Sequence, residues 1–263
     1  MVALLVLLAA VGVPVFSPPS ELDAHTVGLS RAYGARAPGF NRLVLRGADT
    51  VQATAPMGGG YFIGIRAVPT ESPIGYPLSL AGKTLIAPPR SSSYCSGASY
   101  AAFIEALNLH RRESLVEVRS ETVEALRMQE PDGGRREDEV KAWGWWNADG
   151  FGSHFSLVQL MKAGERIAPE NAQPGDFANI SWRNGGGHSV VFLDWERDRA
   201  GRRGMRYWSS QTGTNGIGNQ WVTLERMAEV CMVRATQPDR AMTFNPANPV
   251  SRAVKGDKLD GWQ

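Results

Sequence analysis

Cysteine is scarce in this chain: two residues out of 263, Cys95 and Cys231. One disulfide is the most they can make, which excludes a small cross-linked scaffold. Neither sits in a C-x-x-C pair and no H-E-x-x-H run occurs, so a zinc site has no sequence support and no cofactor is expected. Charge of one sign is also missing. The formal net charge is +2, with acids and bases interleaved and no basic stripe, which makes nucleic acid a poor candidate partner. No apolar run is long enough to span a bilayer comfortably. The longest, Met1 to Phe16 (MVALLVLLAAVGVPVF), is interrupted by Pro14 and resembles the apolar core of a secretory signal, with a polar exit at Ser17-Pro18-Pro19-Ser20. No Lys or Arg precedes it and no A-x-A cleavage site follows. Export with cleavage, retention as an uncleaved anchor, and a buried N-terminal strand or helix therefore stay open.

What the chain does contain is enough length and apolar residue for a full core. It reads as one domain of the α+β class with extra elements. Tryptophan is frequent, at eight residues, beside 29 glycines and 16 prolines, which suits a loop-rich surface with aromatic-lined grooves.

One stretch organises the reading: Pro88-Pro89-Arg90-Ser91-Ser92-Ser93-Tyr94-Cys95-Ser96-Gly97-Ala98-Ser99-Tyr100-Ala101-Ala102. The prolines stop whatever precedes them, the serines offer N-cap side chains, and a helix-compatible run begins at Cys95. A thiol in a first helical turn lies over unpaired N–H groups and the positive end of the helix dipole, both of which favour the thiolate. Gly97, Ala98, Ala101 and Ala102 let that helix approach a sheet closely. Cys95 is thus a candidate nucleophile on a rigid element. Cys231, in Val230-Cys231-Met232-Val233, has the surroundings of an inert core thiol. A Cys95–Cys231 bridge is the competing reading; two free thiols with different jobs is the favoured one.

Along the chain, 21–40 reads as a linker, Arg42 to Arg46 and Thr50 to Thr54 as short strands, and Gly58-Gly59-Gly60 as a turn before a strand from Tyr61 to Ile65. Residues 21–87 together read as a β-rich, loop-rich extension. The Cys95 helix is expected to run to about Leu109, with a second, amphipathic helix over Ser114 to Met128. A charged loop over Glu130 to Glu139 and another helix before Ala163 follow. Pro174-Gly175-Asp176 reads as a turn into a strand ending at Trp182. His188 to Trp195 is the most strand-like run, apolar on both faces and so expected to be central. A strand from Met205 to Ser209, a helix with Leu224 and Met227, a last strand at Cys231 to Arg234 and an extended tail over 237–263 complete the order.

A thiol nucleophile needs a base within hydrogen-bond reach, and the base needs a third group to fix its tautomer. Of the four histidines, His25 and His110 read as surface residues. His154 either lines a groove or serves capping and packing. His188 opens a buried strand directly after Gly185-Gly186-Gly187, and on its own reads equally as a satisfied histidine at a strand end.

Taken in order, Tyr94-Cys95-Ser96-Gly97, Pro174-Gly175-Asp176 and Gly187-His188-Ser189-Val190-Val191-Phe192 resemble the successive motifs of NlpC-type cell-wall peptidases. That family belongs to the papain-like superfamily, which also includes the CHAP amidases. The resemblance spans about 91–233 and implies a cysteine hydrolase domain over 88–236, its nucleophile helix packed on an antiparallel sheet; the apolar opening makes 1–20 a candidate signal or anchor segment. It implies Cys95 as nucleophile, His188 as general base and acid, the backbone N–H of Cys95 with a neighbour such as Ser96 as the oxyanion site, and Tyr94 lining the groove. It implies hydrolysis of amide bonds in peptidoglycan stem peptides by a secreted or envelope protein, expected to be a monomer. Two departures stand out. The family often has Asp before Cys-Ser-Gly, where this chain has Tyr94. Its third group is usually polar, often His, on the strand after the histidine strand; here Gln211 is the first choice, Ser209 the second and Asp194 an outsider. Asp176 and Trp146 are candidate substrate contacts, although the cluster Trp143-Gly144-Trp145-Trp146 reads equally as core. The competing functions are a Cys/His amidase or acyltransferase for another substrate, and a non-catalytic wall-binding module.

Overall fold

The structure, a computed structural model, describes residues 14–62, 73–88, 90–114, 116–128 and 141–262. Two short helices come first, α1 (Leu29–Tyr33) and α2 (Asn41–Thr54), followed by a hairpin of β1 (Leu78–Leu80) and β2 (Lys83–Ile86). The helix that begins at Cys95 is α3 (Cys95–Arg111). Helices α4 (Ser120–Leu126) and α5 (Ala142–Trp146) and a π-helical segment His154–Leu160 lead into the sheet. Strands β3 (Gly164–Ile167), β4 (Phe177–Trp182), β5 (Gly187–Arg197), β6 (Arg203–Gln211), β7 (Gly216–Thr223) and β8 (Met227–Ala235) make one antiparallel sheet in the order β3-β8-β4-β5-β6-β7. A last short helix, α6 (Pro238–Ala241), precedes an extended tail. The mixture of helices with an antiparallel sheet is α+β.

Alternation along the strands divides the apolar residues between two faces. Val191, Leu193, Trp208, Ile217, Cys231 and Val233 join the larger core with α2, α3 and the α5 region. Ile180, Val190, Phe192, Met205, Tyr207, Val222 and Met232 form the other face, which the two chain ends cover through Phe16, Leu259 and Trp262. Trp195 meets Trp262 edge-on, with ring centroids 5.1 Å apart. The tail is therefore the wrap that its composition suggests, anchored by a bridge between Val230 and Asp257.

The N-terminal segment differs from its sequence reading. Arg42 to Arg46 and Thr50 to Thr54 are parts of one helix, α2, whose buried residues Val44, Leu45, Ala48 and Val51 follow a helical rather than an alternating period. Two short windows hid a period that only the fourteen-residue span reveals. Helix α2 packs against α3 at very close range: a Cβ on Gly47 would lie 2.3 Å from the Ala102 carbonyl oxygen. The small residues of α3 thus serve a helix–helix contact as well as the sheet. The β-rich extension is replaced by a helical layer with one small hairpin. Of the expected strand from Tyr61 to Ile65, Tyr61 makes a single bridge to Ser93, and Ile63 to Ile65 lie outside the described residues. The expected helix over Ser114 to Met128 is confined to α4, and the charged loop over Glu130 to Glu139 also falls outside the described residues. Leu224 begins a 3₁₀ turn, and Met227 already belongs to β8.

Candidate functional site

Cys95 is the first residue of α3, half-buried, and it is a free thiol like Cys231. Cys231 is fully buried in the core on β8, so the disulfide alternative does not occur. Tyr94 occupies the N-cap in an extended conformation with no side-chain cap. Ser93, one of the serines expected to cap, is used elsewhere: its Oγ donates to Ser210 Oγ on β6 at 2.9 Å. The backbone N–H groups of Cys95, Ser96 and Ser189 all act on the thiol to favour ionisation. Burial outweighs them and pushes the thiol pKa up, against the ionisation that the helix start favours.

His188 lies near the start of β5, buried, opposite Ile180 on β4. On the other side, Val191 pairs with Trp208, and continuing that register places His188 opposite Gln211. The imidazole Nε2 approaches Gln211 Oε1 at 3.4 Å. The amide cannot turn its oxygen away, because its nitrogen donates to Thr214 Oγ1 at 2.6 Å and to the Gly218 carbonyl at 3.1 Å. A fixed acceptor on Nε2 selects the tautomer with the proton there and leaves Nδ1 as the basic nitrogen. Burial pushes the His188 pKa down to about 4, with Gln211 opposing the shift. Burial thus favours the neutral form of both the thiol and the imidazole.

Helix α3 and the strand carrying His188 are tied together one residue from His188. Ser99 Oγ on α3 and Ser189 Oγ on β5 are 2.8 Å apart. Trp146 Nε1 donates to the same Ser99 oxygen at 3.0 Å, and Ser99 donates onward to the Ser96 carbonyl at 3.1 Å. The sulfur meets the backbone of Ser189, the residue directly after His188, so both candidate reacting groups lie at the same end of β5.

The remaining candidates divide. Ser209 Oγ donates to the Ser189 carbonyl at 2.7 Å; it braces β5 and does not reach the imidazole. Asp194 forms a two-point ion pair with Arg36, at 3.1 and 2.7 Å, six residues along β5 from His188 and roughly 20 Å away by strand rise. Asp176 is fully buried, bound by Arg234 at 2.8 and 2.7 Å, by Asn41 Nδ2 at 2.7 Å and by the Gln173 N–H at 2.8 Å. It precedes β4 at the end away from Ile180, so it holds the fold together rather than contacting a substrate at Cys95. Trp146 is core: it stacks on Phe103 at 5.3 Å and meets Phe177 edge-on at 5.0 Å. Ser96 is buried, its hydroxyl donating to Asn147 Oδ1 at 2.6 Å. Tyr94 is buried beside Trp143, ring centroids 6.4 Å apart. His154 is half-exposed on the π-helical segment and stands outside this cluster.

The sequence reading missed the aromatic residues around the site. Tyr207 meets the His188 ring edge-on at 5.4 Å, and Trp182 lies 6.0 Å from the other side of it. Tyr207 precedes Ser209 and Gln211 by steps of two on one strand, an alternation that would have placed all three on one face. Tyr61 arrives from the N-terminal segment, held because Phe62 N donates to the Ser93 carbonyl at 3.1 Å and Gly60 N to the Asn215 carbonyl at 2.8 Å. The strap needs glycine: a Cβ on Gly216, at φ +111, would lie 2.0 Å from the Gly58 oxygen. Burial and the neighbouring Cys95 sulfur push the Tyr61 phenol up to about 12. Among the described residues no group of three or more His, Cys, Asp or Glu is placed to hold a metal ion, and no helix is long and apolar enough to cross a membrane. In comparisons with protein-family models, curated proteins and solved structures, the chain has no significant match.

Proposed function

We propose that this protein is a cysteine hydrolase that cleaves amide bonds in peptidoglycan stem peptides, using Cys95 as nucleophile and His188 as base and acid. The observation that carries the reading is the imidazole pinned by Gln211 at the strand end where the first-turn thiol lies. The order of the motifs and the α+β sheet with its nucleophile helix are compatible with a papain-like, NlpC-type fold, and the substrate follows from that resemblance. His188 Nδ1 takes the thiol proton as sulfur attacks the amide carbonyl. The tetrahedral oxyanion is met by the backbone N–H groups of Cys95 and Ser96. His188 returns the proton to the leaving amine, and water then hydrolyses the thioester by the same route reversed. Such a substrate places the protein in the cell envelope or outside the cell.

The test is incubation with purified peptidoglycan and mass spectrometry of the released fragments. New amine and carboxyl ends within stem peptides, lost in both Cys95→Ala and His188→Ala, are the expected result. Unaltered fragments with wild-type protein, or unchanged turnover in either variant, overturn the reading.

A further inference from the structure

We infer that the strap Gly58–Phe62 is a positioning element for the Cys95 thiol, holding it in place beside the imidazole pinned by Gln211 and limiting access to the sulfur. The inference rests on the hydrolase reading for its effect on turnover; its effect on the thiol can be measured without that reading.

The strap is hydrogen-bonded along both edges. On one, Gly60 N donates to the Asn215 carbonyl at 2.8 Å and Ile217 N donates to the Gly58 carbonyl at 2.8 Å, which makes an antiparallel bridge of Gly59 with Gly216. On the other, Ser93 N donates to the Gly60 carbonyl at 3.0 Å and Phe62 N donates to the Ser93 carbonyl at 3.1 Å, a parallel bridge of Tyr61 with Ser93. The first edge grips the end of the 3₁₀ turn Thr212–Thr214, whose Thr214 Oγ1 accepts from the Gln211 amide. The second grips the chain two residues before Cys95. The strap thus spans from the support of the imidazole to the support of the thiol. Ser210 on β6 ties Ser93 directly as well, donating Oγ to its carbonyl at 3.1 Å. One attachment leaves the chain before α3 free to turn about it, and a second on another side removes that freedom. The approach is closed to side chains: at φ +89, a Cβ on Gly58 would lie 2.4 Å from the Asn215 oxygen. Tyr61 is half-buried, and its phenol and the Tyr207 phenol both feel the Cys95 sulfur and each other's neighbourhood. Tyr207 also meets the His188 ring. Displacing the strap therefore acts on two rates in opposite senses: it uncovers the sulfur and loosens its placement.

Three variants separate these effects. Gly216→Ala sets a methyl group 2.0 Å from the Gly58 oxygen and pushes the strap off the turn. Tyr61→Ala removes the cover and keeps the backbone bonds of the strap. Gly82→Ala is the control: at φ +77 it carries comparable backbone strain in open space, in the β1–β2 turn that leans on Asn108 far along α3. Each protein is treated with iodoacetamide near neutral pH, and labelling is located by mass spectrometry; Cys231, fully buried in the core, reports unfolding. Turnover is measured on soluble stem peptides. Gly216→Ala is expected to label at Cys95 about tenfold faster with Cys231 unlabelled, while kcat falls about tenfold or more and KM changes little. Tyr61→Ala speeds labelling with a smaller loss of kcat, and Gly82→Ala changes neither rate. Faster labelling of Gly216→Ala without loss of kcat, labelling of Cys95 that rises only together with Cys231, or equal effects in Gly82→Ala overturn the inference. If Gly216→Ala does not fold, Tyr61→Ala decides, and an unchanged labelling rate there overturns it. A wild-type protein that cleaves no stem peptide sinks the hydrolase reading alone, because the labelling rates still decide the hold of the strap on the thiol.

Discussion

Gln211 presents its side-chain oxygen to His188 Nε2 at 3.4 Å while both donors of its amide are held by Thr214 and Gly218. Because the amide is locked at its far end, its effect on the imidazole is one of orientation and tautomer. Gln211→Ala is expected to lower kcat by about ten- to a hundredfold with a smaller change in KM, since ring placement matters most in the transition state. Gln211→Glu sets a carboxylate against the ring and is expected to raise the His188 pKa, moving the acid limb of the rate profile to higher pH. An unmoved limb in that variant removes Gln211 from the site.

Burial keeps His188 neutral down to about pH 4 and holds the Cys95 thiol protonated above its ordinary range. Activity measured as kcat/KM is therefore expected to fall only as pH drops toward about 4. Alkylation of Cys95 by iodoacetamide in the free protein is expected to be slow near neutrality and to accelerate on the alkaline side. A thiol that reacts fully and pH-independently across the neutral range would show a resting ion pair instead.

The same histidine makes stability depend on pH. Unfolded, it takes up a proton at about 6.5, whereas in the fold it waits until about 4. Between those values the unfolded state binds more protons, so stability is full above pH 6.5 and is lost as pH falls toward 4, by on the order of 3 kcal/mol. Chemical denaturation of wild-type and His188→Gln proteins at a series of pH values is expected to show a shallower decline in the variant.

Asp176 and Arg234 form a buried pair with two short contacts. Arg234→Met leaves the carboxylate without its cation and is expected to cost about 3–5 kcal/mol of stability. Specific activity per folded molecule should be unchanged, because the pair sits at the far end of β4 from His188. A change in kcat without a loss of stability would return Asp176 to the list of substrate contacts.

Two glycines on and beside α3 separate packing from the proposed chemistry. Gly47→Ala drives a methyl group onto the Ala102 carbonyl at 2.3 Å and is expected to cost about 1–3 kcal/mol through displacement of α2. At Gly97, a Cβ would lie 1.6 Å from the Pro73 oxygen. That displacement acts two residues from the sulfur, so Gly97→Ala is expected to reduce kcat more than it lowers the unfolding midpoint. Equal loss of both properties in the two variants would contradict this division.

How much of this was legible beforehand depends on where the information sits along the chain. The start of α3 at Cys95 and the central strand carrying His188 were readable, because each rests on local chemistry: a proline stop and a continuous apolar, β-branched run; Gln211 as the polar partner came instead from the family resemblance and from what an amide oxygen can accept. Helix α2 was not, since its apolar residues are few and only a long window shows their period. The role of Asp176 was not, because a Gly-Asp turn looks the same whether its carboxylate faces a groove or an arginine 58 residues away.

The sequence by itself determined a helix starting at Cys95 and a buried strand starting at His188. Only the tertiary structure decided which partners these and other residues meet: the thiol with the Ser189 N–H, Ser209 with a carbonyl instead of the imidazole, and Trp146 with the core. The physical reason is that propensity and periodicity act over a few neighbouring residues, whereas charge state and contact are set by burial and by strands paired across long separations. The low basicity of His188 is the clearest case, because desolvation belongs to the assembled fold and to no segment of the chain.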